Sequence, residues 1–264
     1  MGINIAVIGG TGIYNLPDVT EVEKQVIKTP YGSAIVNIGT LTGKRVAFLT
    51  RHGETHGIAP GQINFRANIW ALKTLGVKNI IATACSGSLN SSYPPGTLVL
   101  LDQFIEFTKG RPDSFYGGSD RHSEKIAHVD MTHPYCNRLK QVVKSAGMSM
   151  GIDVLDGATY ACMEGPRFET ESEIRMLRIL GADLVAHTQY PEVALAREAE
   201  ICYCAIGVIA NMAAGICDEH VSATDMKTAM GKIFDNVQNV IAKTIQLLSD
   251  EDCWCQHALS DSYL

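Results

Sequence analysis

Short apolar runs alternate along the chain with segments whose apolar residues recur every three or four positions. The runs have the length of buried strands, and the recurring segments have the period of amphipathic helices. The pattern predicts strands at residues 5–10, 34–38, 45–50, 79–83, 97–101 and 201–210, and helices at 64–75, 136–146, 171–180 and 191–200. Residues 39–43 predict a hairpin turn. This alternation predicts an α/β fold with a largely parallel or mixed sheet.

A long helix is predicted near the C-terminus, where one apolar stripe is formed by Ile233, Val237, Val240, Ile241, Thr244 and Leu248. Its simplest role is to close the core. The 264 residues contain no Pro- or Gly-rich linker, charge block or internal repeat. We therefore expect a single domain over residues 1–264.

Composition and charge exclude several classes of partner. Hydrophobic residues make up 46% of the chain, yet no uncharged run approaches the length of a membrane span, about 20 residues. The first residues lack a basic leader, so we expect no signal peptide and a cytoplasmic location. The net charge of −6 argues against nucleic acid, whose phosphates are held by clustered Lys and Arg. Anionic small molecules remain compatible with it.

Eight cysteines are many for a cytoplasmic chain, and none has the Cys-x-x-Cys spacing of zinc or thioredoxin sites. We favour buried thiols that act as small hydrophobic residues over disulfides. Cys202 and Cys204 are two apart in a strand and are expected on one face. The exception is Cys253 and Cys255, which a bridge could join if the protein is hyperthermophilic. A redox or metal-binding protein is suggested by the cysteines alone, and we expect no metal.

Three loops follow predicted strands, where open α/β sheets bind their ligands. Residues 9–14 form a glycine turn whose amides, with the Thr11 hydroxyl, suit a phosphate. A tight turn without a ligand is as good an interpretation. The turn lacks the third glycine of the dinucleotide fingerprint, so a nicotinamide oxidoreductase has little support. Arg51 and His52 place a guanidinium beside an imidazole, which suits an oxyanion or a surface pair. Residues 83–89 are small and allow close approach of a ligand.

These loops carry a resemblance that extends from the first strand to the loop after residue 210. The sequence resembles the phosphorylase family that contains trimeric purine nucleoside phosphorylase and 5'-methylthioadenosine phosphorylase. The matching stretches are Gly9-Gly10-Thr11-Gly12, Arg51-His52-Gly53, Arg66-Ala67-Asn68-Ile69-Trp70-Ala71-Leu72, Gly87-Ser88-Leu89, Glu164-Gly165-Pro166-Arg167-Phe168 and Pro191-Glu192-Val193.

The resemblance implies a nucleoside phosphorylase fold, with a central mixed sheet flanked by helices. It also implies phosphorolysis, in which inorganic phosphate attacks C1' of a nucleoside and releases the base and a pentose 1-phosphate. Phosphate is then a co-substrate, and no metal or organic cofactor is needed. The expected partners are small molecules and further copies of the chain, as a homotrimer or homohexamer, with no nucleic acid and no membrane.

By the same resemblance, phosphate is held by Thr11, Arg51, His52, the backbone of Ala84 and Cys85, and Thr188. Ala84 stands where methylthioadenosine phosphorylases have Thr, so it offers its backbone alone. His187 replaces the family's Met at the sugar position. It can pack on the ribose, bond a hydroxyl or add charge beside the phosphate.

The base is expected to contact Phe168, Glu169, Asn211, Met212 and Ala213. The Glu169 carboxylate can accept the N1 proton that a 6-oxopurine has and adenine lacks, and Asn211 can donate to O6 and accept from a protonated N7. We interpret these two residues as the determinants of base selectivity, and with His52 as the catalytic candidates. The alternative for Glu169 is a solvated charge at a helix N-terminus.

The 5' end of the sugar gives a second specificity position. Purine nucleoside phosphorylases have a His after a Ser in the following loop, whereas here Ser222 is followed by Ala223. A small apolar residue suits a methylthio group. His56 and His128 match positions near this end, His128 from a neighbouring subunit, although both can be surface histidines. The combination predicts S-methyl-5'-thioinosine as substrate. The alternatives are inosine and guanosine, with an ordered water in place of the His, or methylthioadenosine.

Overall fold

The computed structural model describes residues 2–10, 18–117, 125–217 and 223–263, the side chains of 223–232 excepted. The strands are β1 (Ile5–Gly9), β2 (Thr20–Thr29), β3 (Gly32–Leu41), β4 (Lys44–Thr50), β5 (Asn79–Ser88), β6 (Leu98–Phe107), β7 (Val154–Met163), β8 (Leu184–Ala186) and β9 (Cys202–Met212). The α-helices are α1 (Phe65–Thr74), α2 (Asn137–Ser149), α3 (Glu171–Ile179), α4 (Glu192–Glu198) and α5 (Ala223–Leu247).

All of these strands belong to one mixed sheet in the order β2-β3-β4-β1-β5-β8-β7-β6-β9. β1 is parallel to both β4 and β5, and β5 is parallel to β9. Because β9 also pairs with β6, the strands β5, β8, β7, β6 and β9 close into a ring. The predicted α/β fold with a mixed sheet is confirmed, and the closure is an addition to it.

Hydrophobic residues cover both faces of the sheet, as strand alternation requires. On β1, Ala6 and Ile8 enter one buried cluster with residues of α1, whereas Ile5 and Val7 enter another with the predicted stripe of α5. Burial on both faces explains why the central strands read as unbroken apolar runs. Among the described residues, no helix has both the length and the apolar character to cross a membrane.

The predicted helices form, with ends that local chemistry fixes. The Asn64 side chain accepts from the Ala67 amide and starts α1, and Thr170 forms a capping box with Glu173 that starts α3. The predicted ends at 146 and 200 differ from the observed ends, Ser149 and Glu198. Differences of this size are typical of helix ends.

The strands differ more from the prediction. The hairpin turn predicted at 39–43 consists of Thr42 and Gly43 alone, both with positive φ, as a two-residue hairpin turn requires. Residues 84–88, predicted to be loop, continue β5. Three strands were not predicted: β2, whose side chains are mostly exposed, β7, which contains Gly157, and β8, which has three residues.

None of the eight cysteines is in a disulfide. The favoured interpretation as buried thiols is confirmed for Cys136, Cys162, Cys202, Cys204 and Cys255. It is wrong for Cys85 and Cys217, which are exposed, and the bridge considered between Cys253 and Cys255 is not formed. The two cysteines of β9 enter the same buried cluster, as strand alternation predicts.

Candidate functional site

A cavity of about 740 Å³ lies at the carboxyl ends of the parallel strands β1, β4, β5 and β9. Ligands of α/β proteins bind at this edge of a sheet. The cavity is lined by ten of the side chains named from the sequence: Arg51, His52, His56, Cys85, Phe168, Glu169, His187, Thr188, Asn211 and Ala213. Gly10 lines it as well, so the described residues of all three predicted loops reach one cavity.

The other predicted residues lie elsewhere. Ala84 is buried and does not line the cavity, and Met212 is also absent from its wall. His128 is exposed and does not reach the cavity of its own chain. Thr11 is outside the described residues, as is the side chain of Ala223.

Arg51 is almost completely buried and forms a bidentate ion pair with Glu192 of α4. Its Nε lies 2.8 Å from Glu192 Oε2, and its Nη2 lies 2.7 Å from Oε1. The side chains are 1% and 0% exposed. Burial alone lowers the pKa of Arg51, but the adjacent Glu192 carboxylate holds it above the ordinary value. The guanidinium is therefore a fixed cation, and its direction is set by Glu192.

Two more contacts complete the surroundings of this pair. Arg51 Nη1 donates to the Thr83 carbonyl at 3.1 Å, and the Tyr203 hydroxyl donates to Glu192 at 2.6 Å. Together with its two bonds to Glu192, the bond to Thr83 means that Arg51 uses three of its five guanidinium N–H groups. Arg51 lines the cavity, two of its N–H groups take no part in these three bonds, and its charge is already balanced by Glu192. The sequence places Glu192 in a stretch that matches the family but does not indicate this contact.

His52 is neutral in this setting. Its Nδ1 lies 2.8 Å from the Ile58 carbonyl, which can only accept, so Nδ1 carries the proton and Nε2 is an acceptor. Burial, with the Arg51 charge nearby, lowers the pKa of His52 to about 4. Near neutral pH, His52 can therefore accept a hydrogen bond from a protonated phosphate oxygen. It cannot supply positive charge to the phosphate.

His187 and Glu169 form a pair inside the cavity wall. His187 Nε2 lies 3.1 Å from Glu169 Oε1, and the Glu169 side chain is 8% exposed. The imidazole packs against Gly165, where a Cβ would lie 2.9 Å from the ring. The first contact of His187 is thus none of the three considered from the sequence. It orients the carboxylate and leaves Glu169 Oε2 for a ligand.

Asn211 lies opposite Gly87 in the β5–β9 pairing, just beyond an irregularity in the register. Its Nδ2 donates to the Met212 carbonyl at 2.6 Å. A second N–H and the Oδ1 acceptor remain, which is the donor and acceptor pair expected for the edge of a base. The alternative for Glu169, a solvated charge, does not fit the structure, because its side chain is 8% exposed and lines the cavity with Asn211.

Arg111 is a buried residue that the sequence analysis missed. It donates to Glu164 Oε2 at 3.1 Å and to the carbonyls of His187 and Tyr190 at 2.7 and 3.0 Å. It therefore joins the segment before Phe168 to the segment that carries His187 and Thr188. Its isolated position in a polar stretch gave no signal in the sequence.

A family model described as the phosphorylase superfamily matches residues 4–246. The chain belongs to this superfamily. A probable 6-oxopurine nucleoside phosphorylase from Thermococcus kodakarensis is 45% identical over 97% of each chain. A probable S-methyl-5'-thioinosine phosphorylase from Methanothermobacter thermautotrophicus is 42% identical over 97% of this chain and 88% of its own.

Solved structures agree with the family assignment. Methylthioadenosine phosphorylase from Schistosoma mansoni in complex with adenine matches with a TM-score of 0.93, at 29% identity over 99% of each chain. The predicted fold and the predicted enzyme class, a phosphorylase that transfers a pentosyl group, are confirmed.

The ion pair of this phosphorylase gives a test of stability. Glu192→Gln leaves the buried Arg51 charge uncompensated, so the free energy of unfolding should fall by about 3–5 kcal/mol. The matched change Glu54→Gln breaks the Lys24–Glu54 pair, whose side chains are 48% and 50% exposed, and should cost about 0–1 kcal/mol. Urea unfolding at neutral pH measures both. Equal losses would contradict a special role of the buried pair.

The low pKa of His52 predicts a pH dependence of this phosphorylase's stability. Between about pH 4 and 6.5 the folded chain binds fewer protons at His52 than the unfolded chain. The contribution to stability is therefore complete above pH 6.5 and is lost as the pH falls towards 4. His52→Gln should flatten this part of the profile of midpoint urea concentration against pH.

His257 is the control. Its bond to Asp252 raises its pKa, so its contribution is complete below pH 6.5 and is lost only at higher pH. His257→Gln should therefore keep the wild-type slope between pH 4 and 6.5. An unchanged slope in His52→Gln would show that burial does not lower the pKa of His52.

Proposed function

We propose that the chain catalyses phosphorolysis of a 6-oxopurine nucleoside, with S-methyl-5'-thioinosine as the favoured substrate. A phosphate oxygen attacks C1', the bond from C1' to the base nitrogen breaks, and its electron pair leaves with the base. The base takes up a proton, and the sugar leaves as 5-methylthioribose 1-phosphate. Phosphate is the co-substrate, and the reaction needs no metal or organic cofactor.

One observation carries the proposal: an oxyanion group and a base-edge group line the same cavity. Arg51, His52 and Thr188 supply the first, and Glu169 with Asn211 supplies the second. In the proposed complex, phosphate takes the two remaining Arg51 N–H groups and places a protonated oxygen at His52 Nε2. Because Arg51 is already balanced by Glu192, backbone amides must supply further donors.

The base is selected by the state of its N1. Glu169 Oε2 accepts the N1 proton of a 6-oxopurine, the second N–H of Asn211 donates to O6, and Asn211 Oδ1 accepts from N7 when N7 is protonated. Adenine has a lone pair at N1, which would face the carboxylate. The names of two relatives support this choice: the Thermococcus protein is a probable 6-oxopurine nucleoside phosphorylase, and the Methanothermobacter protein is a probable phosphorylase of S-methyl-5'-thioinosine, whose base is a 6-oxopurine.

The 5' group of the nucleoside is expected to contact the apolar part of the cavity. Ile58 and Phe234 give the cavity apolar surface, which suits a methylthio group. His56 also lines the cavity and favours the alternative, because its ring can bond the 5'-hydroxyl of inosine or guanosine.

We also propose a cytoplasmic location, where a phosphorylase would serve purine salvage. The eight free cysteines are compatible with that reducing compartment.

Phosphate-dependent base release should be measured for methylthioinosine, inosine, guanosine, methylthioadenosine and adenosine. We expect methylthioinosine to have the highest kcat/KM. The adenine nucleosides leave buried polar groups unpaired at a cost of about 1–3 kcal/mol, which is about 5- to 150-fold in kcat/KM. Asn211→Asp replaces the donor by an acceptor for the adenine amino group and should raise the ratio of methylthioadenosine to methylthioinosine turnover.

Asn137→Asp, the same change at an exposed residue of α2, should leave this ratio unaltered. Base release without phosphate would indicate a hydrolase instead. If inosine exceeds methylthioinosine, the assignment of the 5' group fails and the base assignment stands. If the adenine nucleosides lead, the roles of Glu169 and Asn211 are wrong.

We also propose a homo-oligomer, a trimer or hexamer, in which His128 reaches the cavity of a neighbouring chain. His128 is exposed, and nearby Ile126 is 55% exposed, an apolar side chain that a subunit contact would cover. His128→Ala and Glu169→Gln should each lower activity, and unfolding and refolding the two together should restore part of it. In mixed oligomers, a chain with intact Glu169 meets a neighbour with intact His128. No restoration would show that each chain holds a complete site.

A further inference from the structure

Four cysteine side chains converge at the amino end of β9, and we refer to them as the cysteine tetrad: Cys136, Cys202, Cys253 and Cys255. Their Sγ atoms all lie within 4.8 Å of one another, and those of Cys136 and Cys253 are 3.6 Å apart. Three of the four residues are buried. These residues come from three distant parts of the chain, so the fold itself assembles the tetrad.

We infer that the cysteine tetrad binds a structural zinc ion. Zinc sites with four thiolates have Zn–S distances of about 2.3 Å, which places the sulfur atoms about 3.8 Å apart in a tetrahedron. The tetrad needs only small adjustments to reach that arrangement. A disulfide would instead require two sulfur atoms to approach to about 2.0 Å.

The surroundings of the tetrad fit its charge when zinc is bound. Binding releases the four thiol protons, so four thiolates and Zn²⁺ together carry two negative charges. Two guanidinium groups lie beside the tetrad. Arg138 Nη2 is 3.7 Å from Cys202 Sγ. The Arg197 guanidinium stacks 4.8 Å from the ring centre of Trp254, the residue that separates Cys253 and Cys255 in the sequence.

Both arginines also keep buried donors that the described residues do not satisfy. The Nε and Nη1 atoms of Arg138 and of Arg197 have no hydrogen-bond partner among these residues. Buried donors without acceptors are costly. Anionic sulfur ligands accept such bonds, and donors that hydrogen-bond to metal ligands hold those ligands in the orientation that the metal needs. The two arginines therefore suit a tetrathiolate site better than four neutral thiols.

The position of the tetrad indicates a structural role. Cys136 is the residue before α2, its amide donates to the Tyr203 carbonyl at 2.8 Å, and Cys202 begins β9. Cys253 and Cys255 belong to the segment after α5. All four ligand positions are protein sulfur, which leaves none for a substrate or water. Asn211 and the cavity lie at the other end of β9, so zinc would anchor the C-terminal segment and take no part in phosphorolysis.

The test is the metal content of the full chain, purified with a thiol reductant and without chelator. Elemental analysis should give one zinc ion per chain for the wild type and for Cys217→Ser, which changes an exposed cysteine outside the tetrad. Cys253→Ser should retain almost none, and its thermal midpoint should fall to that of the wild type after chelation.

If Cys253→Ser does not fold, wild-type protein stripped of metal and loaded with Co²⁺ gives an independent measurement. Tetrahedral thiolate coordination should produce sulfur-to-cobalt absorption in the near ultraviolet and ligand-field bands in the red. Failure of the reduced wild type to bind zinc or cobalt would overturn the inference. A disulfide would also overturn it. The intact mass, measured without reductant on protein prepared with zinc, would then be lower than that of the reduced chain by the two hydrogens that each disulfide removes.

Discussion

The buried ion pair of Arg51 and Glu192 is the constraint on which the candidate site depends. It joins the end of β4 to the start of α4, and Tyr203 of β9 completes it from a third direction. If either ion left the interior, the other would remain there as an unpaired charge. The three elements must therefore keep their relative positions. The same pair sets the electrostatics of the cavity, since it fixes a cation in place while cancelling its net charge.

Much of the fold follows from the pattern of the sequence, and the exceptions have local causes. The central strands are apolar because both faces are covered, which makes them easy to recognise. β2 has mostly exposed side chains, and β8 has three residues, so neither produces a period. Residues 84–88 are small enough to be taken for a loop, yet their backbone pairs with β9. Ring closure depends on long-range pairing that no local pattern reports.

The sequence predicts which residues line the candidate site better than it predicts the contacts between them. Arg51 and His52 follow β4, Asn211 lies near the end of β9, and Glu169 precedes α3. Residues at such positions converge at the ligand-binding edge of the sheet. Their partners lie far away in the chain: Glu192 is 141 residues from Arg51. A sequence motif shows that such a residue is present and not what it touches. The bond between His187 and Glu169 was missed for this reason, since each residue was interpreted against the ligand and not against the other.

The ring of five strands has a consequence for the behaviour of the protein in solution. A strand inside a closed ring has no free edge, so among the described strands β2 is the one that leaves an edge of the sheet open. Open edges recruit strands from other molecules and start aggregation. β2 carries Glu21, Glu23, Lys24 and Lys28, and most of its side chains are in solvent. Desolvating these charges opposes the addition of a further strand, so the one exposed edge of this sheet is protected by its own sequence.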